Sequence, residues 1–212
     1  MKTQSITIHN NTFILHPGRA AFWKEKKILF VADTHFGKIS HFRKYGIAIP
    51  RHGIKKDYKN LNFLVQEFQP ETVCFLGDLF HSNYNQEWIY FQKWVKTVSI
   101  GLILVKGNHD IIPDFQFEDL GVKLSDEMIV DNFVLTHHPI EKEGFFNICG
   151  HIHPGIELKS GRQRLNLPCF YKTDKQLILP SFGSFTGKYI LKPNENDTVF
   201  AVTPDEVILI ST

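Results

Sequence analysis

Apolar residues along this chain fall in short blocks, each closed by a polar cluster. The blocks ILFVA (28–32), TVCFL (72–76), LILVK (102–106), FVLT (133–136) and FFNIC (145–149) are rich in β-branched and aromatic residues. Gly, Asp or Asn bound them, as expected of buried strands. Between the first two, Ile54, Tyr58, Leu61, Val65 and Phe68 recur every three or four residues and Pro70 follows, which predicts a helix. Trp88, Phe91, Val95 and Val98 predict a second helix before the third block. The order β-α-β-α-β predicts a sheet with helices packed on it. Further on, LNLPCFYKT, QLILPSF, DTVFAVT and EVILIS alternate with turns and show no helical period. They predict a second, mostly antiparallel sheet face to face with the first. SITIH and TFILH, joined through Asn10-Asn11, predict a hairpin at a sheet edge. No linker, repeat or low-complexity tract interrupts residues 1–212, which read as one domain.

Composition adds little to this picture, with hydrophobic residues at 42% and charged residues at 22%. The three cysteines, Cys74, Cys149 and Cys169, are odd in number, far apart and set in apolar runs, so reduced core thiols are expected. With no signal peptide and no membrane-length apolar run, a cytoplasmic location is expected. Charge is more informative. Lys38 to Lys59 holds seven basic residues and one acid, a local +6 within a chain of net +2. Such a segment is either a solvated helix face or a surface for an anionic polymer.

The polar clusters carry the chemistry. The five blocks run into Asp33-Thr34-His35, Gly77-Asp78-Leu79-Phe80-His81, Gly107-Asn108-His109-Asp110, His137-His138 and Gly150-His151-Ile152-His153. A lone Asp-x-His or Gly-Asp is commonplace, but five such clusters in order, each after a buried strand, are not. They are expected along one edge of the sheet, where open α/β sheets place their sites. Carboxylate, imidazole and amide donors without cysteine suit Mn²⁺, Fe or Zn²⁺. Asp33 and His35, and likewise His151 and His153, are one residue apart and would share a side if extended. Seven candidate ligands exceed the needs of one ion but suit two, with the carboxylate of Asp78 as the natural bridge. Glycine before Asp78, Asn108 and His151 would let the backbone approach closely.

These motifs, over about residues 28–153, resemble those of the calcineurin-like metallophosphoesterases. The resemblance implies a four-layer α/β/β/α sandwich of two mixed sheets, the metallophosphatase fold. It implies one ion on Asp33, His35 and His153, another on Asn108, His137 and His151, and Asp78 between them. His109 would protonate the leaving group and Asp110 would steer its ring. His138, before Pro139, would point elsewhere. The stretches Gly37-Lys38 to Pro50, Leu167–Phe170 and Leu179–Gly187 resemble the bacterial ligase-associated DNA damage response endonucleases. That group implies Mn²⁺-type metals, a DNA substrate and association with DNA ligase and helicase. The reaction so implied is phosphodiester hydrolysis by a hydroxide held between the metals. Asn108, Lys38, His41, Arg43 and His81 are candidate substrate contacts, with Lys44 and Arg51 extending a phosphate-binding groove and Phe36 and Phe42 able to stack on bases. The alternative is a hydrolase of small phosphodiesters, such as cyclic nucleotides or nucleotide-sugar diphosphates.

Overall fold

The computed structural model describes residues 1–38, 52–81, 86–161 and 163–210, with the side chains of 52–55, 86 and 160 left out. Its chain begins with β1 (Gln4–Ile8) and β2 (Asn11–His16), paired antiparallel at one edge of a seven-stranded sheet. Ile8 pairs with Asn11, so the turn residues are His9 and Asn10, not the expected Asn10-Asn11. Both have positive φ, +46° and +61°, which matches the right-handed twist of the flanking strands. β3 (Ala20–Trp23) continues the antiparallel run, then β4 (Ile28–Val31), β5 (Thr72–Leu76), β6 (Gly101–Val105) and β7 (Val122–Ser125) lie parallel to one another.

Three helices are described: α1 (His52–Phe68), α2 (Gln86–Val95) and α3 (Asp114–Glu118). All pack on one face of this sheet. Leu61 and Leu64 of α1, Trp88, Phe91 and Trp94 of α2, and Phe117 of α3 meet Leu29, Val31, Val73, Phe75, Leu102 and Leu104. Alternation along β4 sends Leu29 and Val31 to the helices and Ile28 and Phe30 to the opposite face. That opposite face packs on the second sheet, where Trp23 and Phe133 approach to 4.6 Å between ring centroids.

The second sheet is also mixed. β8 (Met128–Val130), β9 (Phe133–Leu135), β10 (Phe146–Cys149), β13 (Gln176–Ile178), β12 (Gln163–Lys172), β11 (Pro154–Ser160) and β14 (Tyr189–Ile190) follow one another in that spatial order. β15 (Thr198–Val202) pairs with β12, and β16 (Val207–Ile210) with β15. The two-sheet α/β sandwich expected from the sequence is therefore the observed architecture. Its helices, among the described residues, all cover the first sheet. The outer face of the second sheet carries a smaller apolar cluster of Cys149, Ile156, Cys169, Tyr171, Ile178, Val199 and Ala201.

One expectation is corrected. FVLT and FFNIC do not extend the first sheet: as β9 and β10 they pair in parallel within the second. The polar clusters therefore come from two sheets and meet across the core. No helix among the described residues is long and apolar enough to cross a membrane.

Candidate metal centre

Each polar cluster begins where a strand ends, and the backbone there is unusual. Asp33, His35, Asp78, His151 and His153 all have φ between +45° and +67°. For residues with a Cβ this left-handed conformation costs about 1–2 kcal/mol each, and such strain gathers at functional sites. It also corrects a reading of the spacing. Asp33-x-His35 and His151-x-His153 are not extended pairs. The left-handed turns keep Asp33 and His35 in one group but send His151 and His153 to different ones.

Those groups are well defined. Ligand atoms of Asp33, His35 and His153 lie within 4.8 Å of one another, as do those of His137, His138 and His151, and those of Asp33, Asp78 and His137. His153 Nε2 is 3.2 Å from Asp33 Oδ1 and 3.3 Å from His35 Nε2. Asp78 faces both sides: Oδ2 lies 3.7 Å from His35 Nε2 and Oδ1 lies 3.4 Å from His137 Nε2. On the second side His137 Nε2 is 3.2 Å from Asn108 Oδ1 and 3.1 Å from His151 Nδ1. His138, expected to point away, joins this side, its ring centroid 3.9 Å from that of His151. The Thr136 hydroxyl donates to the His138 carbonyl at 2.6 Å and folds the chain back after β9.

Glycine makes the approach possible. Gly77 has φ +79°, and a Cβ there would lie 2.2 Å from His137 Nδ1. At Gly107 a Cβ would lie 2.3 Å from Asp78 Oδ1. Gly77→Ala is expected to cost about 2–4 kcal/mol of stability, overpacking and φ strain combined. Denaturant unfolding would check it against Gly121→Ala, where φ is also positive (+77°) but nothing lies within 4 Å.

Main-chain donors lock the loops together. His151 N–H donates to Asp33 Oδ2 and His109 N–H to Asp78 Oδ1, both at 2.9 Å. The carboxylate of Asp110, expected to steer the His109 ring, instead accepts from main-chain N–H groups of Gly107 (2.8 Å), Leu79 (2.9 Å) and Phe80 (3.4 Å). It fastens the Asn108 loop to the Asp78 loop. Sequence reading also missed the Ser181 hydroxyl, which donates to Asp33 O at 2.9 Å, and Arg19, whose Nη1 donates to Ser181 O at 3.2 Å. Ser181 lies in the segment singled out by resemblance, but no residue type there announced chemistry.

The electrostatics favour neutral imidazoles beside anions. Burial first, then Lys38 and the neighbouring His153, His81 and His109, hold His35 down to about 2, so it is neutral at physiological pH and one ring nitrogen keeps a lone pair for a cation. Burial and then His138 and His137 also lower His151. Asp33 Oδ1 is buried and has no hydrogen bond of good geometry, although His153 Nε2 is 3.2 Å away. Imidazole nitrogens facing one another at 3.1–3.3 Å share one proton at most. Uncompensated acceptors of this kind, converging on buried carboxylates, fit divalent cations.

The family model of the calcineurin-like phosphoesterases matches residues 26–207. The chain belongs to this family. It is accordingly a metal-dependent phosphoesterase. Among solved structures, nuclease MPE from Pseudomonas putida is 26% identical over 99% of this chain and 100% of its own, with a TM-score of 0.85. A protein of unknown function from Aquifex aeolicus (20% identity, 59% of this chain, 78% of its own) and the phosphoesterase Yfce from E. coli (13%, 87% and 98%) each give a TM-score of 0.45. A search of curated proteins found no match.

The candidate substrate contacts divide. Lys38 is half-buried and lines a cleft with His35, and burial lowers its pKa. The ring of His81 lies 5.6 Å from those of His35 and His109. Phe36 is buried and stacks on Tyr58 at 4.4 Å, so it is not open to a base. His41, Phe42, Arg43, Lys44 and Arg51 lie outside the described residues.

Proposed function

We propose that this phosphoesterase is a two-metal phosphodiesterase that cleaves DNA endonucleolytically, in the service of DNA repair. The supporting observation is the pair of ligand groups joined by Asp78, set in a chain that matches a nuclease along its full length. Asp33, His35 and His153 would hold one cation, Asn108, His137 and His151 the other, and Asp78 would serve both. Mn²⁺ is the first expectation, with Fe or Zn²⁺ suited to the same donors. Two such cations supply positive charge and a water acidic enough to ionise near neutral pH. The protein's own groups do the rest. Asn108, exposed at the mouth, offers its amide N–H to a non-bridging phosphate oxygen, and His109 delivers a proton to the departing alkoxide. Because ligands come from both sheets, residues 1–212 act as one catalytic unit. Three buried, unpaired cysteines suit a reducing cytoplasm. Association with DNA ligase and helicase fits a repair role.

The test is incubation of Mn²⁺-loaded protein with single-stranded DNA, duplex DNA and a cyclic nucleotide, beside Asp78→Asn. Metal-dependent DNA cleavage that the variant lacks supports the reading. Turnover of the cyclic nucleotide alone overturns the nuclease assignment and leaves a small-substrate phosphodiesterase. DNA cleavage is expected to fall steeply between about 50 and 200 mM salt, because phosphate contacts release counterions. Salt-insensitive cleavage would count against the basic groove.

Stability should carry a pH signature of its own. Asp57, buried against Ser184, is raised to about 6 by burial, which outweighs the Ser184 hydrogen bonds and Arg19. A carboxyl raised on folding stabilises the fold fully below its unfolded pKa, and that contribution is lost as pH rises through the folded value. Stability of the metal-free protein should thus fall between about pH 4 and 6, with Asp57→Asn flattening the slope in urea titrations. An unchanged slope would refute the assignment.

A further inference from the structure

A cavity of about 410 Å³ opens where the β2–β3 turn, α1, β12 and the β15–β16 turn meet. None of the candidate metal ligands lines it, although Asp57 borders both this cavity and the cleft beside His35. Tight packing shapes its polar side. Arg19 has φ +62°, and its N–H closes the β2–β3 turn onto His16 O at 2.9 Å. A Cβ at Gly18 would lie 2.9 Å from Asn60 Oδ1, so this turn is pressed against α1. The Asn60 amide N–H donates to Gly18 O at 3.0 Å and fixes the two together.

The charges around the cavity do not balance. Arg19 Nη1 donates to Ser181 O at 3.2 Å and reaches Gly183 O at 3.5 Å. Among the described residues the guanidinium has no other hydrogen bond and no ion pair, so most of its fork is open. Burial lowers its pKa, as expected of a cation short of an anion. Lys56 is exposed on the same wall and likewise has no ion pair among the described residues. The carboxylate there, Asp57, is turned to Ser184, accepting from its N–H at 3.3 Å and from its hydroxyl. Much of the remaining wall is apolar, built from Pro17, Leu167, Pro168, Phe182 and Pro204.

We propose that this cavity binds a nucleoside monophosphate apart from the metal centre, with Arg19 and Lys56 on the phosphate and the proline- and leucine-lined wall against the base. A phosphomonoester carries about two negative charges near neutral pH, which matches two unpaired cations. The guanidinium fork can hold two of its oxygens at once. A flat base gives the apolar wall something to cover, which bare phosphate does not. Asn60 Oδ1 makes no hydrogen bond among the described residues and is left to accept from the amino group of a base such as adenine. A free mononucleotide and the 5′-phosphorylated end of a strand present this same chemistry. The site goes beyond the nuclease reading and does not depend on it.

The test is isothermal titration calorimetry on the full, metal-free chain, with AMP, adenosine, inorganic phosphate and a 5′-phosphorylated oligonucleotide as probes. AMP should bind at least about tenfold more tightly than adenosine or phosphate, since each of those lacks half of the match. Lys56→Glu, at an exposed position, should weaken AMP binding about 10- to 100-fold while the melting temperature holds. Arg19→Lys keeps the charge but loses the fork, and should weaken AMP about tenfold. Asp78→Asn should leave AMP affinity unchanged. An oligonucleotide that binds as tightly as AMP assigns the site to strand ends, and one that binds more weakly assigns it to free nucleotides; either supports the site. AMP binding that requires Mn²⁺, is lost in Asp78→Asn or ignores Lys56→Glu places the nucleotide elsewhere and overturns the proposal. So does phosphate that binds as tightly as AMP, or AMP that does not bind.

Discussion

Asp78→Asn is expected to remove the phosphoesterase activity and leave the fold intact. The asparagine keeps the oxygen that accepts from His109 N–H at 2.9 Å, so the loop geometry survives. What disappears is the negative charge between the two ligand groups, 3.4 Å from His137 and 3.7 Å from His35. Even partners outside the coordination shell cost about 10–100-fold in metal affinity when removed, so a shared ligand should cost more. Bound Mn²⁺ should drop from two equivalents to one or fewer by metal analysis, with turnover down at least about a thousandfold. Metal-free melting temperatures should stay close, since the change relieves repulsion from Asp33 as well as losing favourable contacts. The stabilisation that saturating Mn²⁺ gives the native protein, about 2.7 kcal/mol at a hundredfold excess over Kd, should shrink in step. A variant that keeps two ions and a tenth of its activity would exclude Asp78 from the bridging position.

His109→Ala is expected to separate substrates by their leaving groups. The Asn108-His109 turn is clamped from two sides, by Asp78 through the His109 N–H and by Asp110 through Gly107 N–H, so the ring is presented from a fixed backbone. It stands 5.6 Å from the rings of His35 and His81, at the centre's edge. A proton delivered to an alkoxide is worth about two to four orders of magnitude, whereas a nitrophenolate leaves without one. The variant should therefore lose about 10²–10⁴-fold on a DNA diester and far less on bis(p-nitrophenyl) phosphate, with metal content unchanged. Equal losses on both substrates would take His109 out of the acid role. Asp110→Asn gives a companion measurement. Since its carboxylate accepts only main-chain N–H groups among these contacts, it should lower stability more than it changes leaving-group dependence.

Much of this was legible in the residues. Apolar blocks of four or five ended at the right places because a strand buried on both faces must be apolar at every position, and a turn must break the run. β4, β5, β6, β9 and β10 were read in this way. β7, β8 and β14 were not, being short and partly exposed at or near the sheet margins, where no periodic demand marks them; the buried β3 and the hairpin strand β11 also went unread. The donor set was legible too, since the choice of Asp, His and Asn over Cys is chemistry carried by residue type.

Tertiary structure alone decided the rest. The sequence could not say that β9 and β10 belong to a different sheet from β4, β5 and β6, because the same apolar block satisfies either side of a shared core. Spacing alone could not show that His151 and His153 part company, as the family resemblance implies, since that depends on left-handed backbone at both, held by contacts from Asp33 and β14. Nor could it seat His138 against His151, or turn Asp110 to the backbone. Residue type and spacing fix which groups are available for chemistry and roughly where each strand delivers them. Which groups converge is set by how two sheets pack and how the loops cross-bond, long-range contacts that leave no period in the chain.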